Sequence, residues 1–500
     1  MLNRNMSHSR LEQSSPDQVK PPRFFVISDK PHDIFVFFIR LGVLVCLLIS
    51  ITLALYSAFF KPSRLFLPDR LQATDRARST TTSDRPGAAT NISHILFCIA
   101  GSENTWQDRS RFNKLWWLPN ETRGFVWLDK EPRYDVSGAI PFKISNYRWK
   151  SFVHGQAAVR ISRIFKESFK LGLPKVRWFV MGDDDTVFFP ENLATVLGKY
   201  DHSEMVYMGD NSESVEQNLY HGFAMAYGGG GFAISSALAI QLSRIFDGCL
   251  RRYYYFYGSD QRVWACVNEL GVTLTREPGF HQLDIRGDPY GILAAHPLVP
   301  LVSLHHLDML EPVFPNMTRV DAIHKLMGAY HIDPSRILQQ CFCYDHKRHW
   351  SVSISWGYTV QVYPTLWTAK DLQTRFRTFQ TWGTLSDGPF MFSTRAMGPD
   401  PCDKPIIYFL EKVKNVGNGA WTLSSYKRHK EGEDGRSCTR LNITPVVVER
   451  VRVAALKLDP KYWKKAPRRQ CCQIMNGGLI KNGTLRIRIR HCGPRESITV

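Results

Sequence analysis

Apolar positions along this chain follow one rhythm up to about residue 334 and another after it. The runs Ile95–Ala100 (ILFCIA), Gly124–Leu128 ending at Asp129, Trp178–Gly182 and Met205–Met208 carry no charge before their ends and read as buried strands. Between them, Lys150–Phe169 sets Phe152, Val153, Ala157, Ile161, Ile164, Phe165 and Phe169 close to one helical stripe. Glu191–Leu197, Ala237–Phe246 and Arg262–Leu270 also fit helices. Strands alternating with helices predict an α/β fold with an open twisted sheet, whose ligands gather at the carboxyl ends of the strands.

After residue 335 helical periodicity gives way to β-rich runs (SVSISWGYTVQVYP, TPVVVERVRVAAL, GTLRIRIRH) between loops holding Pro and Gly. In LRIRIRH, Arg486, Arg488 and Arg490 fall on one strand face and Leu485, Ile487 and Ile489 on the other. This predicts a smaller, mostly antiparallel β domain of sandwich type over 335–500. Most cysteines lie here, including Cys341, Cys343, Cys402, Cys438, Cys471, Cys472 and Cys492. Neither CFC nor CC has zinc-finger spacing, so disulfides or buried thiols are expected in preference to zinc. No internal repeat is present.

Leu41–Phe60 is different in kind: twenty residues without a charge, enough for a helix to span a hydrocarbon core. It predicts an uncleaved anchor over 34–60, a polar tail over 1–33 and a flexible Arg/Ser/Thr-rich stem over 61–91. Flanking charge, with Arg23, Lys30 and Arg40 before and Lys61, Arg64, Arg70, Arg76 and Arg78 after, argues against a luminal C-terminus. Five N-glycosylation sequons after the anchor (Asn91, Asn120, Asn316, Asn442, Asn482) and ten of eleven cysteines argue for one; a sixth sequon, Asn5, precedes it. Long domains translocate largely regardless of flanking charge, so the bulk of the chain is expected in the secretory lumen.

At 500 residues, 44% apolar and 12% aromatic, the chain has enough core for two or three domains. The net charge of +19 is uneven: thirteen Lys or Arg against one acid lie between Arg450 and Arg495. Such a face suits anionic lipid or an acidic glycan, or simply solvent. Nucleic acid is not expected as a partner behind an anchor and beside sequons.

The strongest chemical signal is RWFVMGDDDTVFF, 177–189, where a strand runs into three aspartates and the chain then turns apolar again. Asp183, Asp184 and Asp185 crowded at a strand end repel one another unless a cation sits among them, which suits a hard divalent metal holding a phosphorylated substrate. AYGGGGFAIS supplies Gly228–Gly231, whose N–H groups can face a ligand; without a following Lys-Ser or Lys-Thr it is not a Walker loop. In YYYFYGSDQRVWACV, Asp260 reads either as a helix N-cap or as a general base. Histidines at His281 and His305–His306 can join the carboxylates, and an imidazole among them favours manganese over magnesium or calcium.

Taken together these segments resemble a known family. ILFCIAGSENTW, KLWW, RGFVWLD, RWFVMGDDDTVFF, VYMGDNS, AYGGGGFAIS, YGSDQRVWACV and GFHQLDIRGDPYGILAAHP, in this order over about 92–310, are similar to the fringe-like enzymes of glycosyltransferase family 31, most closely the plant fringe-like group. The resemblance implies a GT-A fold over 92–334, a Golgi membrane protein of single-pass type II, and an inverting transferase of hexose from a UDP-sugar, with Mn²⁺, to a glycan or glycoprotein hydroxyl. It matches Asp183 and Asp185 to metal binding, with Asp183 and Asp184 toward the nucleotide and Asp129 beside it. It matches Gly229, Gly230 and Gly231 to the acceptor side and Asp260 to the catalytic carboxylate, although Ser259 stands where fringe enzymes have a second acid. For the metal histidine it favours His305, in VSLHHLD, with His281 as the alternative.

Two other classes are consistent with the residues alone. A non-catalytic glycan-binding protein on a transferase scaffold would bind without Mn²⁺ or UDP. A metal-dependent phosphohydrolase would require a second acidic cluster, and none of comparable context occurs.

Overall fold

The computed structural model describes residues 31–59, 89–133, 140–145, 155–400, 402–430, 447–475 and 482–500. The expected tail 1–33 and stem 61–91 fall almost wholly outside these residues, as do Cys438 and the sequons at Asn5 and Asn442. Two compact units divide the chain, 1–82 and 83–500. The first contains the helix Pro31–Phe59, whose side chains are described from Ile39 to Leu53 and at Leu55. Among the described residues no helix is long and apolar enough to cross a membrane.

The second unit is mixed α/β around a central sheet. Its first strands are β1 (Ile95–Ala100), β2 (Gly124–Leu128), β3 (Phe142–Ile144), β4 (Trp178–Asp183), β5 (Val187–Phe188), β6 (Tyr207–Gly209), β7 (Phe232–Ser235) and β8 (Leu274–Arg276). Seven of these form one sheet in the order β3-β2-β1-β4-β7-β6-β8. The strands β3, β2, β1 and β4 are parallel, and β7 runs against both β4 and β6. The first crossover steps to one side of β1 and a later one to its other side, so a crevice opens where β1 and β4 end, with Ala100 in register with Asp183.

All six residues of β1 are buried, because both sheet faces are covered. Ile95, Phe97 and Ile99 enter one core and Leu96, Cys98 and Ala100 the other. The helices Pro190–Leu197 and Ser236–Arg252 cover the expected stretches, and Ser259–Asn268 covers the third except for its last two residues. The stripe over Lys150–Phe169 is a pair of helices in its described part, Gln156–Ser162 and Ile164–Lys170, meeting at Arg163.

Beyond residue 339 the expected sandwich is instead a closed eight-stranded barrel between Gln340 and Arg490. Closure comes from two parallel pairings that local alternation does not encode: Phe342 with Cys471, and Arg450–Ala455 with Thr484–Ile489. Within the last strand Leu485, Ile487 and Ile489 are buried while Arg486 and Arg488 are exposed, the predicted period of two. One apolar core runs from the sheet through Tyr330 and Leu338 into the barrel. Cys343–Cys472 and Cys471–Cys492 staple the barrel, and Cys249–Cys266 ties two helices of the α/β part. Cys98 and Cys341 are free thiols pushed up to about 12 by burial, which suits core residues and not metal ligands.

Candidate active site

The aspartates sit where β4 leaves the sheet and turns into β5. That turn is tight: the Thr186 N–H donates to the Asp183 carbonyl (3.1 Å), and the Asp183 N–H donates to Thr186 Oγ1 (2.9 Å). Thr186 Oγ1 in turn donates to the Gly229 carbonyl (2.7 Å), tying the turn to the glycine loop. His305, 120 positions after Asp185, reaches the same point through short strands. β9 (Phe280–His281), β10 (Ile285–Gly287) and β11 (Ser303–Leu304) follow β8, and Leu304 pairs with Val187 on one side and His281 on the other. The residue after Leu304 therefore lies beside the residues before Val187.

The three aspartates differ in environment. Asp184 is spent on the protein: Arg109 Nη1 donates to its Oδ1 (2.9 Å) and Thr105 Oγ1 to its Oδ2 (2.7 Å). Arg109 also pairs with Asp185 (3.4 Å) and Asp308 (3.0 Å), so a guanidinium supplies part of the positive charge that the triplet demands. Asp185 is fully buried and neither carboxylate oxygen has a hydrogen bond of good geometry, although His305 Nε2 stands 3.1 Å from Oδ1. Asp183 is 38% exposed at the cavity, with Oδ2 3.8 Å from the same nitrogen.

His305 Nδ1 lies 3.1 Å from the Gln282 carbonyl, which can only accept. That bond fixes the proton on Nδ1 and leaves Nε2 to face the carboxylates, the arrangement typical of an imidazole metal ligand. Ligand atoms of Asp183, Asp185 and His305 all lie within 4.8 Å of one another. Two carboxylates and an imidazole, one carboxylate being buried with only the ion-pair contacts of Arg109 and His305, fit a divalent cation such as Mn²⁺. His281 does not join them. Its Nδ1 faces Glu213 Oε1 and its Nε2 faces His296 Nε2, both at 3.0 Å, so both ring nitrogens are engaged elsewhere.

The proton ledger gives this arrangement a pH signature. Burial opposes charge on His305, but Asp185 and Asp183 outweigh it and raise the imidazole to about 9. Partial burial pushes Asp183 above the ordinary carboxylate range, with His305 pulling it down and the adjoining Asp185 and Asp184 adding to the rise. Below pH 9 an incoming cation must displace the Nε2 proton, and that competition eases as pH rises. Mn²⁺ affinity is expected to climb about tenfold per pH unit from 6.5 to 8, with about one proton or more released per ion. Calorimetry in buffers of different ionisation enthalpy measures this directly, and a pH-independent affinity would contradict it.

A cavity of about 1050 Å³ opens beside the aspartates, lined by Gly101, Thr105, Arg109, Asp129, Arg160, Asp183 and Asp184 among others. Asp129 lies at its wall, where Oδ1 accepts from the Glu103 N–H (2.8 Å) at the start of the helix Glu103–Asn113. Arg160 is buried and donates to the Trp127 and Gly101 carbonyls (3.0 and 2.8 Å), holding the ends of β2 and β1 together. A smaller space is lined by Asp183, Gly228 and Asp260. Asp260 is not the N-cap, which is Gly258; it occupies the second helical position and accepts from the Gly228 N–H (3.1 Å). Burial raises its pKa above the ordinary carboxylate range.

The glycine loop departs from expectation. Gly229, Gly230 and Gly231 are buried, and two of their N–H groups are engaged within the protein: Gly230 donates to Gln282 Oε1 and Gly231 to the Gly228 carbonyl. A Cβ at Gly229 would overlap the His305 imidazole, and Gly231 has φ +87°. Gly229 is glycine because His305 packs on it, while a Cβ at Gly230 would crowd the Gln282 backbone and one at Gly231 the Phe188 ring. Only Gly228 borders the space beside Asp260.

Arg109, Thr105 and Arg160 were not singled out from the sequence. Thr105 and Arg109 share a face at i, i+4 of a polar helix, a spacing that a search for partners of the aspartates would have found.

The family described as "Protein of unknown function, DUF604" matches residues 217–472, which include the glycine loop, Asp260, His305 and most of the barrel. The chain is 31% identical over 140 residues to a mouse protein named beta-1,3-glucosyltransferase, a match covering 28% of this chain and 27% of that one. It is 27% identical over 238 residues to zebrafish beta-1,3-N-acetylglucosaminyltransferase lunatic fringe, covering 41% and 60%. It thus spans less than two thirds of either relative, and both accord with the fringe-like resemblance. Among solved structures, a glycosyltransferase involved in glycosylation of the major capsid of PBCV-1 aligns with 47% of this chain and 98% of its own, at 12% identity and a TM-score of 0.25. That likeness is too distant to carry an argument.

Proposed function

The chain belongs to the DUF604 family, and we propose that it is a luminal, Mn²⁺-dependent, inverting hexosyltransferase of GT-A type that moves a sugar from a UDP-sugar to a hydroxyl of a glycan or glycoprotein. One observation carries this reading: Asp183, Asp185 and His305 converge beside a cavity of about 1050 Å³, ample for a nucleotide sugar. The names of the curated relatives supply the reaction class.

In this reading Asp183, Asp185 and His305 Nε2 hold the cation, which when bound neutralises the departing diphosphate. Asp184, locked by Arg109 and Thr105, shapes the nucleotide side of the cavity, with Asp129 also at its wall. Asp260 accepts the proton of the acceptor hydroxyl, whose oxygen attacks the anomeric carbon from the face opposite the diphosphate. Its raised pKa makes it a stronger base than an exposed aspartate. The Gly228 N–H keeps that carboxylate directed at the space it shares with Asp183. Gly229–Gly231 belong to the acceptor side in this reading, with Gly229 packed beneath His305. The part before residue 335 supplies this chemistry and the part after it adds the barrel.

The same reading places the protein in the Golgi as a single-pass type II membrane protein, with the uncharged run Leu41–Phe60, whose last side chains lie outside the described residues, as the anchor it requires. The disulfides support an oxidising compartment, and the sequon asparagines Asn91, Asn120, Asn316 and Asn482 are exposed. The full chain with Mn²⁺ and a panel of UDP-sugars, headed by UDP-glucose and UDP-N-acetylglucosamine, is expected to consume one donor and to stop when EDTA removes the metal. Glycan binding without consumption of any donor would replace the transferase by a lectin-like role.

A further inference from the structure

His305 is followed by His306, whose backbone is left-handed (φ 54°), a conformation costly for a residue with a side chain. In that conformation the His306 ring folds back on His305, with ring centroids 3.8 Å apart. Trp382 stacks on the His306 ring, at 4.3 Å between centroids and 11° between planes. The guanidinium of Arg286 lies 3.7 Å from the centre of the Trp382 ring. His305, His306, Trp382 and Arg286 thus form one continuous stack that ends on the nitrogen facing Asp185.

Trp382 comes from far along the chain. The barrel is interrupted between Tyr363 and Ile406, and in that excursion Phe379–Thr381 pairs antiparallel with Ile285–Gly287. The turn after it is fixed at its tip and at its exit. Glu216 accepts from the N–H groups of Gly383 and Thr384 and from the Thr384 hydroxyl (2.9 Å). Phe390 then bridges Ser214. A surface loop with no task at the site has no need of such fastening.

We propose that Trp382 is a positioning residue for His305: the barrel excursion, outside the segment that resembles fringe enzymes, completes the metal site by holding the histidine pair in its left-handed turn. Without the indole face His306 loses the packing that offsets its backbone strain. As His306 relaxes, the ring of His305 is free to swing away from Asp185. This inference rests on the reading of Asp183, Asp185 and His305 as metal ligands.

The test is Mn²⁺ affinity, by calorimetry on the full chain, for Trp382→Ala, Trp382→Leu and Trp382→Phe, with thermal melts to confirm folding. Loss of the supporting ring is expected to weaken Mn²⁺ binding about 10–100-fold, the range for groups that orient a ligand. Trp382→Phe, which keeps a flat ring, is expected to restore most of it. Trp382→Leu keeps apolar volume without a stacking face, so it serves if the alanine variant does not fold. Wild-type Mn²⁺ affinity in folded Trp382→Ala or Trp382→Leu would overturn the proposal. Absence of Mn²⁺ uptake by the wild-type chain would instead overturn the metal reading, and this inference with it.

Discussion

In Asp185→Asn, Mn²⁺-dependent consumption of UDP-sugar is expected to fall at least about 100-fold, and Mn²⁺ affinity with it, since even groups behind a metal ligand are worth 10–100-fold. The same variant has a second signature in the metal-free protein. Asp185 is the foremost carboxylate holding the His305 imidazolium, raised to about 9. Without that carboxylate the buried ring must give up its proton at pH 7, which costs on the order of 2–3 kcal/mol at 1.36 kcal/mol per pH unit. The sign follows from a raised pKa: the contribution is complete below about pH 6.5 and is lost as pH rises through about 9. Denaturation of wild type and variant should therefore differ at pH 7 and converge above pH 9. A variant that loses turnover with an unchanged stability gap across that range would point to a role other than pairing with His305.

In Asp260→Asn the expected loss is of a different kind. Transfer falls about 10²–10⁴-fold, the usual worth of a positioned general base. Mn²⁺ and UDP binding stay within about twofold, because the amide still accepts the Gly228 N–H and touches none of the three ligand groups. Separating kcat from UDP affinity decides the matter. Equal losses in both would mean that Asp260 shapes the nucleotide site and that the acceptor proton goes elsewhere.

The parts of this site that were legible in the sequence are those encoded locally. An uncharged run ending in three aspartates specifies both a buried strand and a polar strand end, and β4 ends on Asp183 as that pattern requires. The alternation in Leu485–Arg490 likewise specifies which face is buried. What was not legible depends on pairing between distant segments. His305 meets Asp185 through strands of two residues, too short to leave a periodic trace, and only the family resemblance favoured it over His281.

The barrel reads as a sandwich because its closure rests on two parallel pairings that alternation cannot express. The glycines suggested a ligand cradle, yet what lies against them is the protein itself: the His305 imidazole on Gly229, the Gln282 backbone on Gly230 and the Phe188 ring on Gly231. The repulsion among the aspartates looked like a demand for metal alone, whereas Arg109 meets part of it from a helix that appeared merely polar. What remains for the cation is Asp183 and Asp185, a smaller and more specific charge than the triplet suggests.

Titration of the full chain with UDP, in Mn²⁺ and then in EDTA, examines most directly whether these two carboxylates and His305 form a metal-bridged seat for a diphosphate. The structure leads us to expect one UDP bound per chain with Mn²⁺, and no measurable binding once the metal is removed or Asp185 is changed to Asn. UDP binding of equal strength in EDTA, or no binding with Mn²⁺ present, would contradict it.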